Sequence, residues 1–293
     1  MSANTATTAS IRELIRPEVF PSTMCPGCGH GILMGAILRA VDELGWDMRR
    51  MLFVSGIGCA GWIPSPHIAA DTLHTTHGRP IAFATGAALF NPDLHVVVIG
   101  GDGDIAAIGG NHLIHAARRN VHMTVICANN QIYGMTGGQV TPTTDIGTIT
   151  ATTPRGNEEP PFDLCRLVEG AGASFVARWS VYHIRPLIRT LKEAFQHVGF
   201  AFVEVLSPCP TQWGRRNQLA DPVALLERYK GLCVPKDRAA KMTAEELAGL
   251  FGGGWFWSPR LGNWGAARRE GRPTSLPPFP THPHQPKRGE DGR

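Results

Sequence analysis

The chain has 293 residues, 43% of them hydrophobic, enough to bury a full core in one large domain or two small ones. Its formal charge of +4 belongs to the last stretch, because Gly252–Arg293 holds seven Lys or Arg against three Asp or Glu and everything before it is neutral. That stretch is also rich in Pro and Gly and has no period, which predicts a poorly ordered tail and argues against a folded nucleic-acid reader.

The first twenty residues lack an unbroken apolar run with a cleavage site, and no later stretch reaches eighteen apolar residues. The expectation is a cytoplasmic protein with no membrane span. Residues Gly31–Leu44 place apolar side chains at helical spacing, and MLFVSGIG reads as a short buried strand that ends in a glycine turn at Gly56 to Gly58. Val96–Ile99 is a continuous β-branched run, as expected of a parallel strand buried on both faces. A helix over Ile105–Arg119 and a second buried strand over Val121–Cys127 complete a βαβ crossover. Phe162–Ala171 and His183–His197 then read as helices, and Phe175–Arg178 and Phe200–Leu206 as strands.

This alternation predicts an α/β fold: a doubly wound, mainly parallel sheet with helices on both faces. The expected organisation is an N-terminal segment to residue 30, an α/β domain over 31–210, an extension over 211–251 and an atypical tail over 252–293. In such a sheet functional groups gather at the carboxyl ends of the strands. Gly58–Cys59, Gly101–Asp104 and Asn129–Ile132 all fall there.

Asp102 sits in a Gly101-Asp102-Gly103-Asp104 turn directly after a buried strand, where glycine admits a close ligand and the next helix offers its N-terminus to phosphate. Asn130 follows 28 residues later, an interval that holds one helix and one strand and returns the chain to the same edge. Asp102, Asn130 and the Ile132 carbonyl make an oxygen set suited to Mg²⁺ beside a diphosphate. An ordinary strand-end turn capped by aspartates is the plain alternative, made weaker by Asn129-Asn130-Gln131-Ile132-Tyr133-Gly134 at the matching end of the next strand. This Gly-Asp-Gly and Asn-Asn pairing resembles the thiamine-diphosphate enzymes. The resemblance implies a thiamine-diphosphate-binding fold with the cofactor's diphosphate on the metal.

Seven cysteines are few, and an odd number, for a disulfide framework. Cys25 and Cys28 form a CxxC, Cys59 lies in a glycine-rich turn, and Cys209 stands between two prolines. Four thiolates can hold a [4Fe–4S] cluster or a structural zinc, and one CxxC joined by two distant single cysteines leans toward the cluster. Cys127, Cys165 and Cys233 read as small buried hydrophobes.

CPGCGHG, GIGC, THGRPIAFATGAALFNPDL and PCPTQWGRRN together resemble β subunits of 2-oxoacid:ferredoxin oxidoreductases over roughly residues 15 to 230. The resemblance implies that Cys25, Cys28, Cys59 and Cys209 carry one [4Fe–4S] cluster close to thiamine diphosphate. It also implies oxidative decarboxylation of a 2-oxoacid with coenzyme A, passing electrons to ferredoxin, or the reverse carboxylation. GCAGWIPSPHIAADTLHTTHGR looks most like members that use 2-oxoglutarate; pyruvate or a branched-chain acid is the alternative. Some members have a basic residue where this chain has Trp62, leaving a distal carboxylate to Arg79, His67 or a partner chain.

The chain holds one doubly wound domain, so the resemblance implies a partner α subunit that cradles the aminopyrimidine, in an (αβ)₂ assembly. His77 is a candidate for proton handling, His74 reads as structural, and Gly134 and Thr136 are candidates for contact with the diphosphate. A shifted reading frame after KMTAEELAG, or a natural extension, would account for the tryptophan- and arginine-rich tail, which departs from the resemblance. A thiamine-dependent enzyme without redox chemistry and a zinc-stabilised binding module remain as rival readings, separable by iron and cofactor content.

Overall fold

The computed structural model describes residues 8–234, 241–243 and 246, so the expectations for the tail after Gly252 lie outside the described residues. A short helix, α1 (Thr8–Glu13), precedes the CxxC loop. Helix α2 (Gly29–Leu44) then leads into strand β1 (Met51–Ser55), and its end is set by Gly45 in the left-handed region at φ 64°. Strand β2 (Asp71–His74), helix α3 (Pro80–Phe90) and strand β3 (His95–Gly101) follow, then helix α4 (Gly110–Arg118) and strand β4 (Met123–Asn129). Helix α5 (Leu164–Ala171), strand β5 (Phe175–Ser180), helix α6 (Ile184–Phe195), strand β6 (Phe200–Leu206) and helix α7 (Pro222–Leu232) complete the described chain.

The six strands form one sheet in the order β2-β1-β3-β4-β6-β5, with every neighbouring pair parallel. Strands β4 and β6 are buried along their whole length, which matches their nearly unbroken apolar sequence. On one face α2 and α6 pack Leu33, Ile37, Leu187 and Leu191 against Phe53, Val97 and Val203. On the other α3, α4 and α5 pack Ile81, Leu113 and Leu164 against Val54, Val98 and Phe202. The doubly wound parallel architecture is therefore the expected one. The strand order reverses between β1 and β3, a crevice where such sheets bind ligands.

Helices α1, α3 and α7 are not among the expected elements, and three further differences bear on the site. The helix expected from Ile105 to Arg119 is split into a π-helical turn over Gly103–Ile108 and α4, with Gly109 at the joint. A β-carbon on Gly109 would stand 2.3 Å from the Asp104 carbonyl oxygen, so only glycine permits the joint. Strand β4 begins and ends two residues later than expected, which carries Asn129 onto the sheet. β2 escapes a pattern reading because it is a partly exposed edge strand of mixed polarity that pairs with β1 alone.

Candidate active site

The crevice opens into a cleft lined by His30, Ile57, Gly58, Cys59, Ala60, Gly101, Asp102, Gly103, Asp104, Asn130, Ile132, Tyr133, Gly134 and Met135. Nine of the sequence candidates thus share one wall: Gly58, Cys59, Gly101, Asp102, Gly103, Asp104, Asn130, Ile132 and Gly134. They come from the loops after β1, β3 and β4.

Asp102 is 1% exposed. Its Oδ1 accepts the Asn130 N–H at 3.3 Å and its Oδ2 accepts the Thr143 hydroxyl at 2.7 Å. Burial pushes this carboxyl up from its ordinary value, while hydrogen bonds from Thr141, Thr143 and the Asn130 N–H pull against it. Among the described residues no Lys, Arg or His forms an ion pair with Asp102. A buried carboxylate held in place by neutral donors, beside the Asn130 amide, is an incomplete electrostatic unit that a divalent cation completes. The residues therefore fit the Mg²⁺ that their pattern implies.

Gln131, between two of the proposed oxygen donors, adopts φ 62°, a left-handed conformation held by Gln131 Nε2–H donating to the Thr143 carbonyl at 3.1 Å. The same hydroxyl oxygen also lies 3.0 Å from Asn129 Oδ1. This threonine thereby ties both strand ends together, and sequence reasoning missed it.

Asp104 occupies the crevice between β1 and β3. Its Oδ1 accepts the Gly78 N–H at 2.6 Å and the Ile57 N–H at 3.4 Å, and lies 2.6 Å from His77 Nδ1. A β-carbon on Gly56 would come within 2.2 Å of Asp104 Oδ2, so the carboxylate fits only against glycine. The contact fixes the His77 ring, which stands edge-on to Tyr133 at 6.1 Å, and leaves Nε2 as its free nitrogen. Tyr133 in turn covers Gly103 so closely that a β-carbon there would be 2.2 Å from the ring.

The other candidates lie apart from the cleft wall. Thr136 is exposed and its hydroxyl donates to Gln139 Oε1 at 2.5 Å. His74 bonds Ser55 Oγ at 2.9 Å, the structural role expected of it. His67 is fully buried with Nδ1 on the Trp62 carbonyl, and Arg79 donates to the carbonyls of Gly78 and Ile108.

Cys25, Cys28, Cys59 and Cys209 stand within electrostatic reach of one another. Burial pushes the Cys28 thiol up to about 12, and Cys209, Cys59 and Cys25 add to the rise, against a hydrogen bond from the His30 N–H. Cys59 is pushed up to about 11 by burial and by Cys209 and Cys25. A β-carbon on Gly134 would lie 3.5 Å from Cys59 Sγ and 3.6 Å from Cys209 Sγ, so the glycine keeps the space between them open. The CxxC loop reaches these partners because the Gly29 N–H donates to the Pro208 carbonyl at 3.0 Å. Cys28 and Cys59, which resist ionisation singly, stand with Cys25 and Cys209 as a set that fits a cationic iron core able to bind the thiolates together. By contrast Cys127 and Cys165 are buried in the sheet and α5, as expected of packing residues.

Comparison with known proteins agrees with this geometry. Residues 56–205 match the thiamine pyrophosphate enzyme family, C-terminal TPP binding domain. The 2-oxoglutarate synthase subunit KorB of Methanothermobacter marburgensis is 49% identical over 235 residues, which cover 80% of this chain and 82% of that protein. The chain belongs to the β-subunit family of the 2-oxoacid:ferredoxin oxidoreductases. Other members include the 2-oxoacid:ferredoxin oxidoreductase subunit beta of Saccharolobus solfataricus, 44% identical over 64% of this chain and 62% of its own. Among solved structures, the 2-oxoglutarate:ferredoxin oxidoreductase of Magnetococcus marinus, determined with 2-oxoglutarate, coenzyme A and succinyl-CoA bound, aligns with a TM-score of 0.71. That alignment covers 80% of this chain and 77% of the other at 36% identity.

Proposed function

We propose that this chain is the cofactor-carrying β subunit of a 2-oxoglutarate:ferredoxin oxidoreductase, converting 2-oxoglutarate and coenzyme A to succinyl-CoA and CO₂, or running in reverse. The observation that carries this reading is Asp102, buried with only neutral hydrogen-bond donors at the crevice where β1 and β3 diverge, in a cleft it shares with Cys59 of the four-cysteine group. Thiamine diphosphate supplies, when bound, the electron sink for decarboxylation, and a [4Fe–4S] cluster supplies the one-electron acceptor.

In this reading Asp102, Asn130 and the Ile132 carbonyl hold Mg²⁺, and Gly101, Gly103, Asp104, Gly58 and Gly134 line the diphosphate's bed. Cys25, Cys28, Cys59 and Cys209 ligate the cluster. His77, aligned by Asp104, handles protons through Nε2 on the substrate side. Thr136 reaches the diphosphate only if its loop turns from Gln139.

An α subunit supplies the rest of the site. Ile57 and Met135 line the cleft yet are 41% and 47% exposed, an apolar rim that a partner would cover. Because His67 is fully buried and is not among the residues lining the cleft, and Arg79 donates to backbone carbonyls, recognition of the distal carboxylate falls to that partner. We take the assembly to be (αβ)₂ and place it in the cytoplasm, where seven unpaired cysteines stay reduced.

The test is made on the complex purified without air. About four irons and four sulfides per β chain, bound thiamine diphosphate and coenzyme A-dependent reduction of ferredoxin by 2-oxoglutarate are expected. Zinc in place of iron, or turnover with pyruvate but not 2-oxoglutarate, would overturn the cluster and the substrate respectively.

A further inference from the structure

His30 is the second residue of α2 and only 1% exposed. Its Nδ1 lies 2.7 Å from Ser207 Oγ. Ser207 is itself anchored, since its N–H donates to the Asn129 carbonyl at 2.8 Å. The opposite ring nitrogen, Nε2, is buried and has no hydrogen-bond partner. A buried imidazole that leaves one nitrogen unmet loses a hydrogen bond it would make in water, and native folds keep such groups where something else completes them.

The position of the ring says what that something is. His30 lines the same cleft as Asp102, Asp104 and Asn130. When the Ser207 hydroxyl donates to Nδ1, the proton of the neutral ring sits on Nε2, which makes it a donor. The Asp102 oxygens are already met by Thr143 and Asn130, and the one unmet carboxylate oxygen of the cleft, Asp104 Oδ2, is wedged against Gly56 and Gly100 and makes no bond to the ring, so this donor calls for an acceptor brought by a ligand. A phosphate oxygen beside the metal is such an acceptor.

We infer that His30 is a cofactor-binding residue whose Nε2–H donates to an oxygen of the diphosphate of thiamine diphosphate. This rests on the reading given above for the cleft. One short segment then serves two groups: the His30 backbone N–H serves the Cys28 sulfur, and its ring serves the diphosphate.

The experiment uses the complex with its partner subunit, purified without air, as wild type, His30→Leu and His30→Gln. Thiamine diphosphate is titrated at saturating Mg²⁺ by quenching of intrinsic fluorescence, and iron content and the EPR spectrum of the reduced cluster are recorded in parallel. The expected result is a Kd about tenfold or more higher for His30→Leu, with His30→Gln recovering most of the affinity through its amide donor, and iron and EPR unchanged in all three. Equal affinity in wild type and His30→Leu overturns the assignment. So does a His30→Leu complex whose affinity is intact but whose EPR spectrum shifts, because the ring then faces the cluster. A wild-type complex that binds no thiamine diphosphate removes the reading of the cleft, and this assignment with it.

Discussion

Two buried carboxylates on neighbouring parts of the sheet have been treated in opposite ways. Glu204 of β6 is fully buried and closed off inside the protein: Arg178 Nε donates to it at 2.7 Å, Asn129 Nδ2 at 2.7 Å and the Cys165 thiol at 3.4 Å. Arg178 also pairs with Asp163 at 2.6 Å. Asp102 of the β3 turn is buried to nearly the same degree, yet its donors are all uncharged. The two are linked, because Thr143 touches Asp102 and Asn129 while Asn129 touches Glu204. One end of the chain of hydrogen bonds is balanced by the protein's own guanidinium, and the other waits on a cation from outside. A buried charge that is fully paired is architecture; one that is well oriented but unpaired marks a site.

The largest effect expected from breaking this contrast is at the closed end. Glu204→Ala takes one of two carboxylate partners from the buried Arg178 and leaves Asn129 Nδ2 without its acceptor, and should cost about 3–5 kcal/mol in chemical denaturation. A cost under 1 kcal/mol would mean that the pair is not closed. At the open end Asp102→Asn should leave the stability of the metal-free protein within about 1 kcal/mol of wild type. Its Mn²⁺ affinity, read by EPR, should nevertheless fall about a hundredfold, or roughly 2.7 kcal/mol. Adding Mg²⁺ and thiamine diphosphate at a hundred times Kd should stabilise the wild type by about 2.7 kcal/mol, reversed by EDTA and absent from Asp102→Asn. Thr143→Val, which frees Asp102 Oδ2 without touching its charge, should weaken Mn²⁺ about tenfold and leave iron content alone.

What the sequence made legible follows from how local the signals are. Val96–Ile99 announces a buried parallel strand because both faces demand apolar side chains, and Gly101–Asp104 announces a ligand turn because its glycines follow a buried strand directly and admit a close ligand. The cysteine spacing is equally plain. Thr143 was illegible because it lies in a threonine-rich loop that reads as surface, and only the folding back of that loop buries it at 0% exposure against Asp102. His30 is silent within CPGCGHG because its meaning depends on Ser207, which lies 177 residues further along the chain. The π-helical turn after Asp102 needs the contact between Gly109 and the Asp104 carbonyl, which no periodicity encodes.

The junction of the CxxC loop with the end of β6 has a kinetic side. Gly29 meets Pro208 so closely that a β-carbon would stand 2.4 Å from the proline ring, which brings Cys28 and Cys209 together only once β6 has docked. A cluster spanning them would close a covalent loop around most of the sheet, much as a long-range disulfide does. Iron insertion would then be a late step that certifies a finished fold. Damage by oxygen would reach past electron transfer and loosen the clasp between the beginning of the domain and its last strand.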